Sequence, residues 1–185
     1  MIDKSGQKMF EVDQTVGIDC DYPNLKEAMS KIEPGIHLLL KPGEHKFDET
    51  VLINKNVALQ SDHEEEFATV MAPEILFDAG PEVFMVVTHV RFVGHVVISG
   101  GSTVCFEGCE FSSTNEEFNS ILQVKSSAPT FRMCRFYDFS KHAIEYLESR
   151  GGICTDCIFE NIRATGDPII KGPGAKPFHE HNKVK

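Results

Sequence analysis

The sequence predicts an all-β protein, a right-handed parallel β-helix (solenoid) with a short N-terminal capping α-helix. Three observations carry the prediction. One pattern returns through the second half of the chain, each copy is followed by a second apolar segment and a Gly- or Ser-containing turn, and an amphipathic helical stretch precedes the first strands.

The pattern is an apolar or Cys residue, two further residues, Val or Cys, one residue, then Phe. It stands at Val87, Val90 and Phe92; at Phe106, Cys109 and Phe111; at Phe131, Cys134 and Phe136; and at Cys154, Cys157 and Phe159. Successive copies lie 19, 25 and 23 residues apart, a spacing typical of solenoids. The last two positions, two residues apart, suit a strand with alternate residues inward. The second segments are "HVVISGG", "SILQVKSS", "HAIEYLESRGG" and "PIIKGPG". A unit this short cannot close its own core, so stacked neighbours must bury it. Length differences then fall in loops such as "SSTNEEFN" at 112–119. Leucine-rich repeats are the main rival, but their Leu spacing and Asn position are missing.

Residues 1–21 read as a lead-in segment. In "YPNLKEAMSKIEPG", Leu25, Ala28, Met29 and Ile32 form one apolar helical stripe, Asn24 with Glu27 resembles a capping box, and Pro34-Gly35 stops the helix. Such a helix suits the open end of a solenoid, where backbone edges and apolar side chains need cover. The strands "IHLLLKPGEHKF" and "ETVLINKNVALQSD" follow, the second alternating at Val51, Ile53, Val57 and Leu59. The solenoid is expected over 22–174, with a polar tail at 175–185.

In this register Cys109, Cys134 and Cys157 share one inward column, where a free Cys acts as a small buried hydrophobe. By spacing alone, Cys154 and Cys157 with His179 and His181 also make a zinc-ligand set. That set needs the tail to fold back, and it leaves the other cysteines unexplained. No metal and no cofactor is expected. The outward columns hold Arg91, Glu110, Arg135 and Ile158, and beside them Thr88, Glu107, Arg132 and Thr155. Coils about 4.8 Å apart put Glu110 between two arginines and Glu107 beside Arg132. Two readings stand: a charge ladder that fixes coil register, or a polar recognition face. The eight histidines share no repeat column; His89 is expected to lie outward beside Arg91. The "DHEEEF" stretch at 62–67 reads as a solvated acidic turn.

With 185 residues, 41% hydrophobic and 25% charged, the chain has an ordinary globular composition. Its net charge of −10 disfavours nucleic acid and anionic membrane as partners. Sparse cysteines and a polar N-terminal stretch point to a reduced, intracellular, cytoplasmic protein.

The run "NLKEAMSKIEPGIHLLLKPGEHKFDETVLINKNVALQSD" resembles the opening of the pectin lyase-like superfamily, and the later Cys/Val-x-Phe copies resemble its carbohydrate-binding and sugar-hydrolase repeats. These repeats occur in secreted lyases and in intracellular proteins such as F-box and Shc-SH2-binding proteins. The resemblance implies the fold and leaves function open. Of the clusters it implies for catalytic members, none is present. Gly94-His95 and Ile162-Arg163 lack the polygalacturonase neighbours, and Asp138 and Asp156 hold different places in their repeats, unlike a pectinesterase aspartate pair. Glu107 and Glu110 are near enough for glycosidic chemistry, but arginine neighbours hold carboxylates ionised, which is wrong for a general acid.

The sequence therefore points to a non-catalytic module that binds a protein partner through His89, Arg91, Glu107, Glu110, Arg132 and Arg135. The alternative is a carbohydrate-binding or polysaccharide-active protein with a divergent site. The absence of Trp and the inward placement of most Phe leave few rings on which sugars could stack.

Overall fold

A computed structural model describes residues 12–63, 65–113, 115, 117–139, 141–149, 151–160 and 166–185. Strand β1 (Val12–Val16) leads into helix α1 (Leu25–Lys31). The next coil is built from β2 (Ile36–Leu40), β3 (Gly43–Lys46) and β4 (Val51–Ile53). Two coils with longer strands follow: β5 (Val57–Ser61) with β6 (Ala68–Asp78), and β7 (Phe84–Thr88) with β8 (Val90–Ser99). Three-stranded coils come next, first β9 (Thr103–Glu107), β10 (Glu110–Ser112) and β11 (Ser120–Lys125). The second is β12 (Thr130–Arg132), β13 (Arg135–Tyr137) and β14 (His142–Leu147), and the third β15 (Ile153–Thr155), β16 (Ile158–Glu160) and β17 (Ile169–Lys171). The last coil has β18 (Phe178–Glu180) and β19 (Lys183–Val184).

This is a parallel β-solenoid of about seven turns. One sheet runs β1-β2-β5-β7-β9-β12-β15-β18, and its register pairs Val86 with Cys105, Cys105 with Thr130 and Thr130 with Ile153. Those pairings reproduce the 19, 25 and 23 residue spacings of the sequence repeat. The other sheet carries β6 and β8 beside the shorter β10, β13, β16 and β19 on one flank and β11, β14 and β17 on the other. Helix α1 forms as its cap predicts: the Asn24 side chain accepts the Glu27 N–H at 2.9 Å, and the Ile32 N–H closes on Ala28 C=O. Its stripe of Leu25, Ala28, Met29 and Ile32 is buried, and the helix packs against β4.

The interior is a stack of rings and thiols. Phe92, Phe111, Phe136 and Phe159 lie face to face at 5.5, 4.9 and 5.0 Å, close to the strand spacing. Phe106 and Phe131 stack at 5.2 Å in the next column and meet the first column edge-on. Cys109, Cys134 and Cys157 are fully buried beside them, and all six thiols are free. Burial pushes the Cys134 thiol well above its ordinary range, the behaviour of an inert core residue.

Two segments differ from the expected boundaries. The lead-in segment, described from residue 12, supplies β1, which pairs with β2. Residues 175–185 supply β18 and β19, which pair with β15 and β16. In "HEHNKV", His179, Asn182 and Val184 repeat the spacing of Cys154, Cys157 and Phe159, so this stretch is a fifth copy of the pattern. Polar His and Asn at the two inward positions hide it from any search for apolar residues.

Candidate functional site

The two sheets meet at a corner of one or two residues, the first of them in a left-handed backbone. His89, Gly108, Met133, Asp156 and His181 occupy it in successive coils, with φ of 58°, 61°, 51°, 55° and 54°. Gly and Asp tolerate this left-handed backbone; His and Met hold it because the coils lock it. The His89, Gly108 and Met133 amides donate to the Glu107, Arg132 and Thr155 carbonyls at 3.1, 3.0 and 3.1 Å. Each corner is thus hydrogen-bonded to the next coil, and the residues that flank it form straight outward columns.

In one column Glu110 pairs in register with Arg91 and with Arg135. Arg91 Nε donates to Glu110 at 2.7 Å, Arg135 approaches the same carboxylate at 3.6 Å, and Arg135 Nε donates to Glu160 at 2.8 Å. Lys185 completes the row on Glu160 at 3.1 Å. The hydrogen bond from Arg135 and a second from Lys185 hold the Glu160 carboxyl below its usual range. A pair such as Arg91–Glu110 contributes about 0.2–1 kcal/mol, so the row fixes register more than it adds stability.

In the adjacent column Glu107 pairs in register with Arg132, yet among the described residues no ion pair closes between them. The charges of this second column remain available at the surface. His89 occupies the corner itself, and its ring stacks on Phe67 at 5.0 Å. The Arg91 guanidinium also lies over Phe67, 5.1 Å from the ring centre. Phe67 stands just before β6, at the end of the longer connection that replaces the short corner in the preceding coil.

These residues surround a groove of about 460 Å³ lined by Phe67, Thr88, His89, Glu107, Gly108, Cys109, Glu110, Met133 and Arg135. Met133 presents an apolar side chain at its edge, half exposed. Five of the six residues singled out in the sequence therefore meet here, counting Arg91 through its contact with Phe67. Arg132 is in register with Glu107 beside the groove and is not part of its lining. Phe67 and Met133 were missed; the one sequence signal is the break in the repeat before Val90, which bears on Phe67 alone.

The zinc-like spacing fails for a geometric reason. The tail does fold back, and His179 pairs in register with Cys154, but His181 sits at the outward corner with 70% of its side chain exposed. Among the described residues no group of three His, Cys, Asp or Glu is placed to hold a metal ion. Asp138 and Asp156 both stand at positive φ, outside the strands, and do not share a column. Ile162 and Arg163 lie outside the described residues, as do 114 and 116 of the 112–119 loop. Among the described residues no helix is long and apolar enough to cross a membrane.

No family model matches the chain, and no curated protein does. Among solved structures the chain is similar to the pectin methylesterase from Aspergillus niger in penultimately deglycosylated form, with 12% identity and a TM-score of 0.50 over 92% of this chain and 85% of that chain. The deglycosylated form of the same enzyme gives 9% identity and a TM-score of 0.48 over the same shares. The chain is therefore a right-handed parallel β-helix. At this identity the likeness is one of fold alone.

Proposed function

We propose that this chain is a non-catalytic interaction module that binds a protein partner at the corner groove. The observation that carries the reading is the division of labour between the two outward columns. The Arg91–Glu110–Arg135–Glu160 row is occupied with itself, whereas Glu107 and Arg132 flank an apolar patch of Phe67 and Met133 without pairing. An apolar centre with a polar rim is the anatomy of a protein-binding surface, and rim charges make association sensitive to salt. The charged residues named from the sequence thus divide into a row that holds the coils in register and a pair free to meet a partner.

The test places a photo-crosslinking amino acid at position 133, with position 44 on the outward face of β3 as control, and exposes the protein to cell extract. A discrete protein adduct from position 133, weakened by salt and lost on Arg132→Glu, supports the reading. Arg132 suits this test because its reversal leaves the ion-pair row intact. An adduct no stronger than the control, or one indifferent to Arg132→Glu, overturns it. A parallel glycan array that includes pectic oligosaccharides tests the carbohydrate alternative, to which the methylesterase fold lends its weight. Specific glycan binding lost in the same variant moves the assignment to that class.

A further inference from the structure

On the outward face of the first sheet, register builds one column without a charged residue: Ala58, Val86, Cys105, Thr130, Ile153 and Phe178 in successive coils. Its two halves differ in relief. Ala58 and Val86 lie low, 9% and 6% exposed, packed with Phe84. Ile153 and Phe178 project, 44% and 55% exposed, and Met133 at the corner does so at 50%. The neighbouring column carries Glu107 and Arg132 in adjacent coils, and among the described residues these two do not pair with each other.

We propose that this face docks on the same face of a second copy of the chain, about a two-fold axis that runs along the strands between β9 and β12. The inference rests on the protein-binding reading above and names the partner. An isologous contact must be self-complementary, because each residue meets the mate that the axis assigns to it. An axis at this place exchanges β9 with β12, β7 with β15 and β5 with β18. Ile153 then lies over Val86 of the second copy, Phe178 over its Ala58, and Met133 over its Gly108, so every projecting side chain meets a low one. Cys105 and Thr130 face each other at the axis. Glu107 stands opposite Arg132 of the second copy, and Arg132 opposite its Glu107, so the pair left open within one chain closes twice between two. An axis on β9 or on β12 would instead set Glu107 or Arg132 against its own kind.

The strip is six coils long, about 29 Å, and about 15 Å wide from the apolar column to the corner. Each copy thus covers about 450 Å², about 900 Å² in all, which is the size of a weak and concentration-dependent contact. The charges on its margin make association fall with salt.

The experiment is sedimentation of the purified full chain at concentrations up to about 500 μM, which reads dissociation constants to about 1 mM. The natural sequence should show a monomer–dimer equilibrium. Glu107→Arg alone and Arg132→Glu alone each turn two attractive pairs into two repulsive ones, and each should weaken the dimer by about 30-fold. Mixed in equal amounts, the two variants present opposite charges at both pairs and should associate with each other about as well as the natural chain does with itself. Ile153→Asp should abolish the dimer without lowering the melting temperature, since its side chain points outward. A photo-crosslinking amino acid at 153 should join the peptide that carries Val86 of a second copy, a readout that needs no charge variant to fold. A natural chain that stays monomeric overturns the inference, as does a dimer indifferent to either reversal, a mixture of variants that fails to associate, or capture of another peptide from 153. A monomer in purified form overturns this inference alone; the protein-binding reading is decided separately by what position 133 captures from extract.

Discussion

Phe111 is the centre of the ring stack, and its removal measures how far the core acts as one body. It is fully buried, with Phe92 and Phe136 on its faces and Phe106 and Phe131 at its edges. A buried Phe→Ala costs about 3–5 kcal/mol, the upper end applying where neighbours cannot collapse into the space. Neighbours on four sides, each pinned to its own coil, leave little room to collapse, so Phe111→Ala should cost about 4–5 kcal/mol. Phe159 is also buried but has one ring partner, Phe136, and borders a cavity; its truncation should cost nearer about 3 kcal/mol. With a urea slope of about 2.5 kcal/mol per molar, Phe111→Ala lowers the unfolding midpoint by about 1.6–2 M. Circular dichroism reads both variants. A Phe111→Ala cost below about 2 kcal/mol, or no larger than that of Phe159→Ala, would refute the view that the rings form one continuous interlocked stack.

Gly94 approaches β6 so closely that a Cβ there would lie 1.9 Å from the Ala72 carbonyl oxygen, at φ +140°; Gly94→Ala should lose at least about 2 kcal/mol, and a melting temperature near the natural one would contradict that contact. Asn182→Ala removes both hydrogen bonds to the corner of the preceding coil, so the Cys157 amide should exchange faster at constant pH while β9–β11 amides do not change; equal exchange at Cys157 would show that Asn182 is not its protector. His95 is buried under Phe118, stacked at 3.9 Å, and burial holds its pKa below the ordinary value against the pull of Glu74. As a depressed histidine it stabilises fully above pH of about 6.5 and loses that contribution below it. The urea midpoint should therefore fall more steeply from pH 7 to pH 5 than in His95→Gln; parallel slopes would exclude the effect.

The rungs from Val87 to Phe159 were legible because their inward residues are apolar and the interval across the corner never changes. Helix α1 was legible for a similar reason, since its stripe and its Asn24 cap are local signals. The terminal rung was not. His179 and Asn182 occupy core positions with polar groups, and only the spacing to Val184 betrays them. The outward columns followed from register alone, so the Arg91–Glu110–Arg135 row could be anticipated, including which carboxylate lies between two arginines. The groove was only half visible. Phe67 reaches it from a connection outside the repeat, and Met133 shows nothing in its residue type that marks a corner. The failure of Glu107 and Arg132 to pair depends on side-chain reach, which register does not determine.

The short corner also divides the chain into parts that tolerate change and parts that do not. From Val87 to Phe92, Phe106 to Phe111, Phe131 to Phe136, Cys154 to Phe159 and His179 to Val184 the path across it has the same length, while whole coils differ in length by several residues. New segments can accordingly enter at 113–119 or at the turns between coils without shifting the groove, since the corner alone sets the relation between the two sheets. A single residue inserted between Glu107 and Glu110 would instead turn the outward side chains of β10 inward. The molecule is in that sense a ruler with one graduated edge: material can be added along its other margins, and distances along the marked one keep their meaning.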